Sequence, residues 1–168
     1  MFNDFICQRL QKYTTRPPRN KNHWHGPWLA ILNTLFPYSR DYMITPLSHA
    51  TQDNDHTPYF VFEVSKSTTV SGEDRTVLIV AIMHYLDWKA GMPLLETEIN
   101  RQADIAFSRT FSRANSKVYW IGVLGPHWQY GVKDNGQELK PLIAWHDTTH
   151  DASSYDDFTC LAALIEDM

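Results

Sequence analysis

The pattern of apolar and polar positions divides the chain into a few elements, two of which carry almost no polar residues. Val77 to Met83 (VLIVAIM) is the longest uncharged apolar run, and Tyr59 to Val64 (YFVFEV) is aromatic and β-branched. Such runs read as strands, and Ser65 to Arg75 (SKSTTVSGEDR) between them has the Ser, Gly and Asp of a hairpin connection. A strand without a polar face cannot leave one side in water. The second run must therefore be covered on both sides, and helices are the available cover.

Helical spacing recurs elsewhere. Phe5, Leu10 and Tyr13 suit a short amphipathic helix, which Thr14 to Asn22 (TTRPPRNKN) breaks as a linker or arm. His23 to Pro27 reads as a turn, and Pro27 then opens a helix carrying Trp28, Ile31, Leu32 and Leu35 that ends before Pro37. Tyr42 to Thr45, closed by Pro46, is a first strand, and Leu47 to His56 is a polar loop. After a connection holding Trp88, Pro93 opens the longest helix, through about Phe111, with Leu95, Ile99, Ala103, Ala106 and Phe107 on one stripe.

Val118 to Leu124 is a further buried strand, ended or bent by Gly125-Pro126, and Trp128 to Val132 an outer one. Asp134-Asn135-Gly136 forms a turn after which Leu142 to Trp145 pairs back. Ser153 to Asp157 reads as a capping box for a closing helix with Phe158, Leu161, Leu164 and Ile165 on one side. No repeat is visible. The expected organisation is a basic helix and arm over residues 1–22 and one α/β domain over 23–168, a three-layer fold with a mixed central sheet.

Composition narrows the function classes. At 168 residues and 43% hydrophobic content, the chain suffices for one domain with its own core. No apolar run approaches the roughly 20 residues that span a bilayer, and the first residues lack the regions of a secretion signal, so a soluble, cytoplasmic protein is expected. Cys7 and Cys160 lie far apart with no neighbouring ligands and read as reduced structural thiols. The net charge of −4 is unevenly spread. Residues 1–22 hold Arg9, Lys12, Arg16, Arg19 and Lys21 against Asp4, whereas the acids gather after residue 134. An extended duplex groove is disfavoured, because such grooves need many cations, but a compact contact through Arg9, Arg16, Arg19 and Lys21 remains open.

Several segments carry a family resemblance. Pro58-Tyr59 opens one central strand and Ala81-Ile82-Met83 lies in the next. These positions resemble the Pro-Asp pair and the acidic-x-Lys triplet of the PD-(D/E)XK nuclease-like fold, whose carboxylates bind Mg²⁺ and whose lysine orients the attacking water. HGPWLAILNTLFP, INRQADIAFSR, KVYWIGVLGPHWQYGV and LIAWHDTTHD are similar to segments of single-domain mushroom proteins of that fold, over roughly residues 24 to 168. The resemblance implies an αβββαβ core, which the periodicity also gives. It also implies a degenerate metal site at Tyr59, Ala81 and Met83. A phenol, a methyl and a thioether do not hold Mg²⁺, so no metal and no cofactor are expected. Glu63 is four residues along from Tyr59, roughly 13 Å at strand rise, too far to restore the site alone.

What those residues offer instead is an apolar, ring-lined surface. Tyr59, Met83 and Tyr85 suit the stacking of a flipped-out base. On the long helix, Glu98 and Arg101 are three apart and share a face. A carboxylate that stabilises an oxocarbenium-like sugar beside a cation that meets the leaving purine is what N-glycosidic hydrolysis needs. This pair with a stacking Tyr resembles the arrangement in ribosome-inactivating rRNA N-glycosylases, and the size resembles edodin-type mushroom toxins. The leading expectation is thus a metal-independent, rRNA-directed toxin with Tyr59, Glu98 and Arg101 as catalytic residues. The alternatives are a catalytically dead pseudo-nuclease used for binding or regulation, and a metal nuclease with a carboxylate relocated from Glu96 or Glu98. His146 and His150, in HDTTHD, have metal-ligand residue types, but Asp and Thr there also suit turns and caps. His23-Trp24-His25 borders the basic arm, and contact with RNA or a packed turn explains it equally well.

Overall fold

The structure is a computed structural model and describes residues 2–18, 22–47, 59–67, 74–83, 88–109 and 116–168. In chain order the elements are helices α1 (Asp4–Thr15) and α2 (Asn22–Leu35), strands β1 (Tyr42–Leu47), β2 (Tyr59–Ser67) and β3 (Asp74–Met83), helix α3 (Trp88–Arg109), strands β4 (Lys117–Leu124), β5 (His127–Asp134) and β6 (Lys140–Pro141), and helix α4 (Ala152–Glu166). The strands form one six-stranded mixed sheet in sequence order. All neighbours are antiparallel except β3 and β4. That parallel pair needs a crossover, and α3 is the crossover helix.

β3 shows why two layers of helix are required. Leu78, Val80 and Ile82 point to one side and pack in a cluster with Leu10 of α1, Trp24 and Trp28 of α2, and Phe158 of α4. Ile79, Ala81 and Met83 point to the other side and pack with Leu95, Ile99, Ala103 and Ala106 of α3. The side chains of residues 77–83 are all essentially buried. The two-sided cover expected from the uninterrupted apolar run is therefore present, with α1, α2 and α4 on one face and α3 on the other. Phe2, Leu10 and Tyr13 lie in the same core as Phe158, so α1 is packed against the sheet layer.

The structure moves several element boundaries. α2 begins at Asn22, a turn before Pro27, and α3 begins at Trp88, before Pro93. In both, a proline that sequence reasoning places at the start sits inside the helix, at the cost of an intrahelical hydrogen bond. In α2, burial of Trp24 in the extra turn offsets the loss. β1 runs through Pro46 to Leu47, which an edge strand permits because the missing N–H is not needed for a second neighbour. The pairing expected for Leu142 to Trp145 falls instead at Lys140–Pro141, with an isolated bridge from Trp128 to His146. Gly125 (φ 61°) and Pro126 join β4 and β5 in a two-residue turn, with the glycine first as hairpins of this kind require.

Of the described strand glycines Gly122 and Gly131, Gly131 has the less room. A Cβ there would fall 2.3 Å from the Lys140 carbonyl oxygen and 2.4 Å from the Trp120 ring, whereas one on Gly136 would meet nothing within 4 Å. Urea unfolding of Gly131→Ala should therefore show a loss of about 3 kcal/mol from overpacking. Gly136→Ala, at φ +75°, should lose only the left-handed backbone penalty of about 1 kcal/mol.

Candidate functional site

α3 lies along the parallel pair and its two flanks differ. A Cβ on Gly122 of β4 would sit 3.2 Å from Leu95 Cδ2 and 3.3 Å from Ile99 Cδ1, so the turn from Leu95 to Ile99 rests on Gly122. Gly122 pairs with Ala81, and Ala81 pairs with Val61. Glu98 is thus level with Ala81. Its flank faces β2, because Arg109, on the same side of the helix, donates to Glu63 Oε2 of β2 at 3.0 Å. The opposite flank faces β5, where Lys133 Nζ lies 2.8 Å from both Asn100 Oδ1 and Asp104 Oδ1.

At this level the sequence-predicted Glu98 and Arg101 do come together. Arg101 donates through Nε to Glu98 Oε2 at 3.0 Å and through Nη2 to Oε1 at 2.7 Å, a bidentate fork. Gln102 Nε2 adds a bond to Oε1 at 2.8 Å. Glu98 is only 3% exposed, while the Arg101 side chain is 44% exposed. A carboxylate this deeply buried needs a paired cation and hydrogen-bond donors to stay charged, and it has both. Chemically, the arrangement holds one anion inside and turns one guanidinium edge toward solvent.

The other candidates are less concentrated. Ala81 and Met83 are fully buried in the layer beneath α3, so Met83 as placed has no exposed surface on which a base could stack. Core packing against α3 fills that position. Tyr59 is placed by its backbone, whose Cα pairs with that of Met83, and Tyr85, Arg19 and Lys21 lie outside the described residues. Arg9 and Arg16 are exposed on or just after α1. α1 packs on the sheet face opposite α3, so these cations do not converge with Glu98 and Arg101. Glu63 is occupied by Thr76 Oγ1 at 2.7 Å as well as by Arg109. Glu96 projects from the β5 side of α3, beside a small cavity of about 50 Å³ with Trp120 and Gln129. Glu96 and Glu98 therefore point to different flanks, and among the described residues no group of three His, Cys, Asp or Glu could hold a metal ion.

The HDTTHD segment serves the start of α4. Asp151, not a serine of the expected Ser153–Asp157 capping box, is the N-cap and accepts from Ser154 N at 2.8 Å. His146 Nε2 lies 2.6 Å from Asp157 Oδ2, and its Nδ1 is 3.4 Å from Ser154 Oγ. The three residue types match a nucleophilic triad, but the geometry does not. Ser154 is fully buried and donates its hydroxyl to the Thr148 carbonyl at 2.6 Å. His146 stacks on Trp128 with ring centroids 4.8 Å apart, and Trp128 Nε1 donates to the Thr148 carbonyl. His150 is held by Thr148 Oγ1 at 2.7 Å.

Sequence reasoning missed a group at the carboxyl ends of β3 and β4. His127 opens β5, its Nδ1 is 3.2 Å from Asp147 Oδ1, and the Trp88 ring lies 5.5 Å away edge-on. Trp88 also meets Trp145 at 4.8 Å. The residues are distant in sequence and follow no motif, so only the parallel pair could have pointed there, since open α/β sheets bind ligands beyond the carboxyl ends of parallel strands. Comparisons with protein-family models, with curated proteins and with solved structures returned no match.

Two measurements check these assignments. Arg101→Met should cost about 1–3 kcal/mol, below the full penalty of a broken buried pair because Arg101 is partly solvated. The double variant Glu98→Gln with Arg101→Met should recover part of that loss in the same unfolding assay. Asp151 is the second case. Burial opposes its charge, but hydrogen bonds from Ser154 and the nearness of His146 and His150 outweigh that, and the net pKa is lowered. A lowered carboxyl pKa stabilises above its unfolded value and the benefit fades as pH falls through the folded value. Asp151→Ala should therefore cost about 1 kcal/mol at neutral pH, with the gap to wild type closing below about pH 4.

Proposed function

We propose that the protein acts on structured nucleic acid, most directly rRNA, and that it does so without a divalent cation on a PD-(D/E)XK-type scaffold. The observation that carries this reading is the buried Glu98 carboxylate, level with Ala81 and gripped by the Arg101 guanidinium. The order α2, β1, β2, β3, α3, β4 supports the scaffold. In a metal nuclease of that type, the row containing Ala81 supplies oxygen ligands, and Ala81 and Met83 supply none.

A guanidinium substitutes for part of what a metal does. It holds an anion and stabilises developing negative charge, but it does not turn water into hydroxide at neutral pH. This favours a reaction in which the electrophile becomes cationic as the leaving group becomes anionic. In N-glycosidic hydrolysis the bond from C1′ to the base nitrogen breaks, and its electron pair leaves with the purine. Glu98 then stabilises the oxocarbenium-like sugar while Arg101 meets the charge on the purine. Water adds to C1′, and its proton is passed on so that the base departs neutral. Tyr59 and Tyr85 are the stacking residues in this reading, and an rRNA-directed toxin is its biological form. Arg9 and Arg16 would meet phosphates of a separate part of the RNA, and Arg19 and Lys21 are the further phosphate-contacting cations of this reading.

A second reading has its own observation. Both Glu98 oxygens already accept hydrogen bonds and the residue is 3% exposed, which favours a pseudo-nuclease that binds nucleic acid or protein without chemistry. One experiment separates the two. Purified ribosomes are treated with the protein in EDTA, and their rRNA is assayed for an abasic site by amine-induced strand scission. The enzymatic reading expects a specific scission that Arg101→Met reduces at least a hundredfold. Intact rRNA at high protein concentration leaves the binding reading.

A further inference from the structure

On the face away from α3, helices α1 and α2 enclose an open groove of about 400 Å³. That volume suits a small organic molecule, since ligand pockets run from roughly 300 to 1,000 Å³. Ile6, Pro27 and Ala30 contribute apolar surface, and Phe5, Tyr13 and His23 contribute rings. Among the described residues, Arg9 is its one formally charged side chain and no carboxylate lines it.

Two details show that the described side chains do not fill this space. Phe5 is 67% exposed, an aromatic ring left in water at the groove edge, with the Arg9 guanidinium 5.5 Å above it. Gly26 lies inside α2, where glycine is a poor helix former, and a Cβ added there would meet nothing within 4 Å. Glycine before Pro27 also avoids a clash with the proline ring, and it leaves that part of the groove bare.

We infer that the α1/α2 groove is a binding site for a small aromatic anion, whose ring lies among Phe5, Gly26 and Ala30 and whose acidic group pairs with Arg9. The Arg9 guanidinium selects the anion, because a charge-assisted bond to arginine is stronger than a bond between neutral groups. The exposed Phe5 ring selects a flat partner over a flexible chain, since stacking a rigid ring on it loses little freedom. The groove lies on the sheet face opposite Glu98 and Arg101 and does not depend on the chemistry assigned to them, and it shares only Arg9 with the phosphate contacts proposed above.

The test is a fluorescence titration of the full chain with anilinonaphthalene sulfonate, followed by competition with naphthoate, naphthalene methanol and decanoate. Saturable one-to-one binding is expected, with naphthoate competing at least tenfold better than the neutral alcohol or the fatty acid. Arg9→Gln should weaken binding about tenfold. Gly26→Leu and Ala30→Phe, which fill the groove from two positions, should each abolish it, with thermal unfolding confirming a folded variant. If one of these fails to fold, the other decides. Absence of saturable binding overturns the assignment. So does binding that survives a folded groove-filling variant, or equal competition by the alcohol or by decanoate.

Discussion

The whole architecture depends on one constraint: β3 has no side that can face water. Its alternate residues 78, 80, 82 and 79, 81, 83 are apolar in both directions, and each buried aliphatic side chain is worth about 1.5–3 kcal/mol. A sheet built around such a strand must be sandwiched. Among the described residues, α1, α2 and α4 take one face and α3 takes the other, and because α3 is also the crossover into the parallel strand β4, its axis is fixed over the β3 and β4 pair.

That placement has a chemical consequence. With Leu95 and Ile99 seated on Gly122, the residue between them that turns toward β2 is Glu98, and it arrives level with Ala81. Burying a carboxylate is expensive, so the helix must supply its own counter-charge, which Arg101 does one turn on, with Gln102 satisfying a further lone pair. The opposite flank solves the same problem in reverse. There the buried cation is Lys133 of β5, and its anion is Asp104 of α3. Ion pairs with partners on or across the helix thus bracket an apolar seam.

Much of the fold was legible because its signals were local. Uninterrupted apolar runs located β2, β3 and β4, and the stripe through Leu95, Ile99 and Ala103 located α3. The boundaries that moved did so for tertiary reasons. Helix continues N-terminal to Pro27 because Trp24 is wanted in the core, and β1 runs through Pro46 because it is an edge. Of the site, the Glu98 and Arg101 pair could be read from a spacing of three. Its burial, the grip of Gln102 and the full burial of Met83 could not, since they depend on which helix flank meets which strand. The separation of Arg9 and Arg16 from that pair was equally invisible, because a basic arm carries no mark of the sheet face it will occupy.

If a guanidinium has taken the place of a divalent ion, the exchange should be visible directly. Crystals soaked in Mn²⁺ should give no anomalous peak near Ala81 and Glu98, with the Arg101 fork still within hydrogen-bond distance of the carboxylate. A Mn²⁺ peak coordinated by Glu98, with Arg101 displaced from it, would contradict metal-free action at this site.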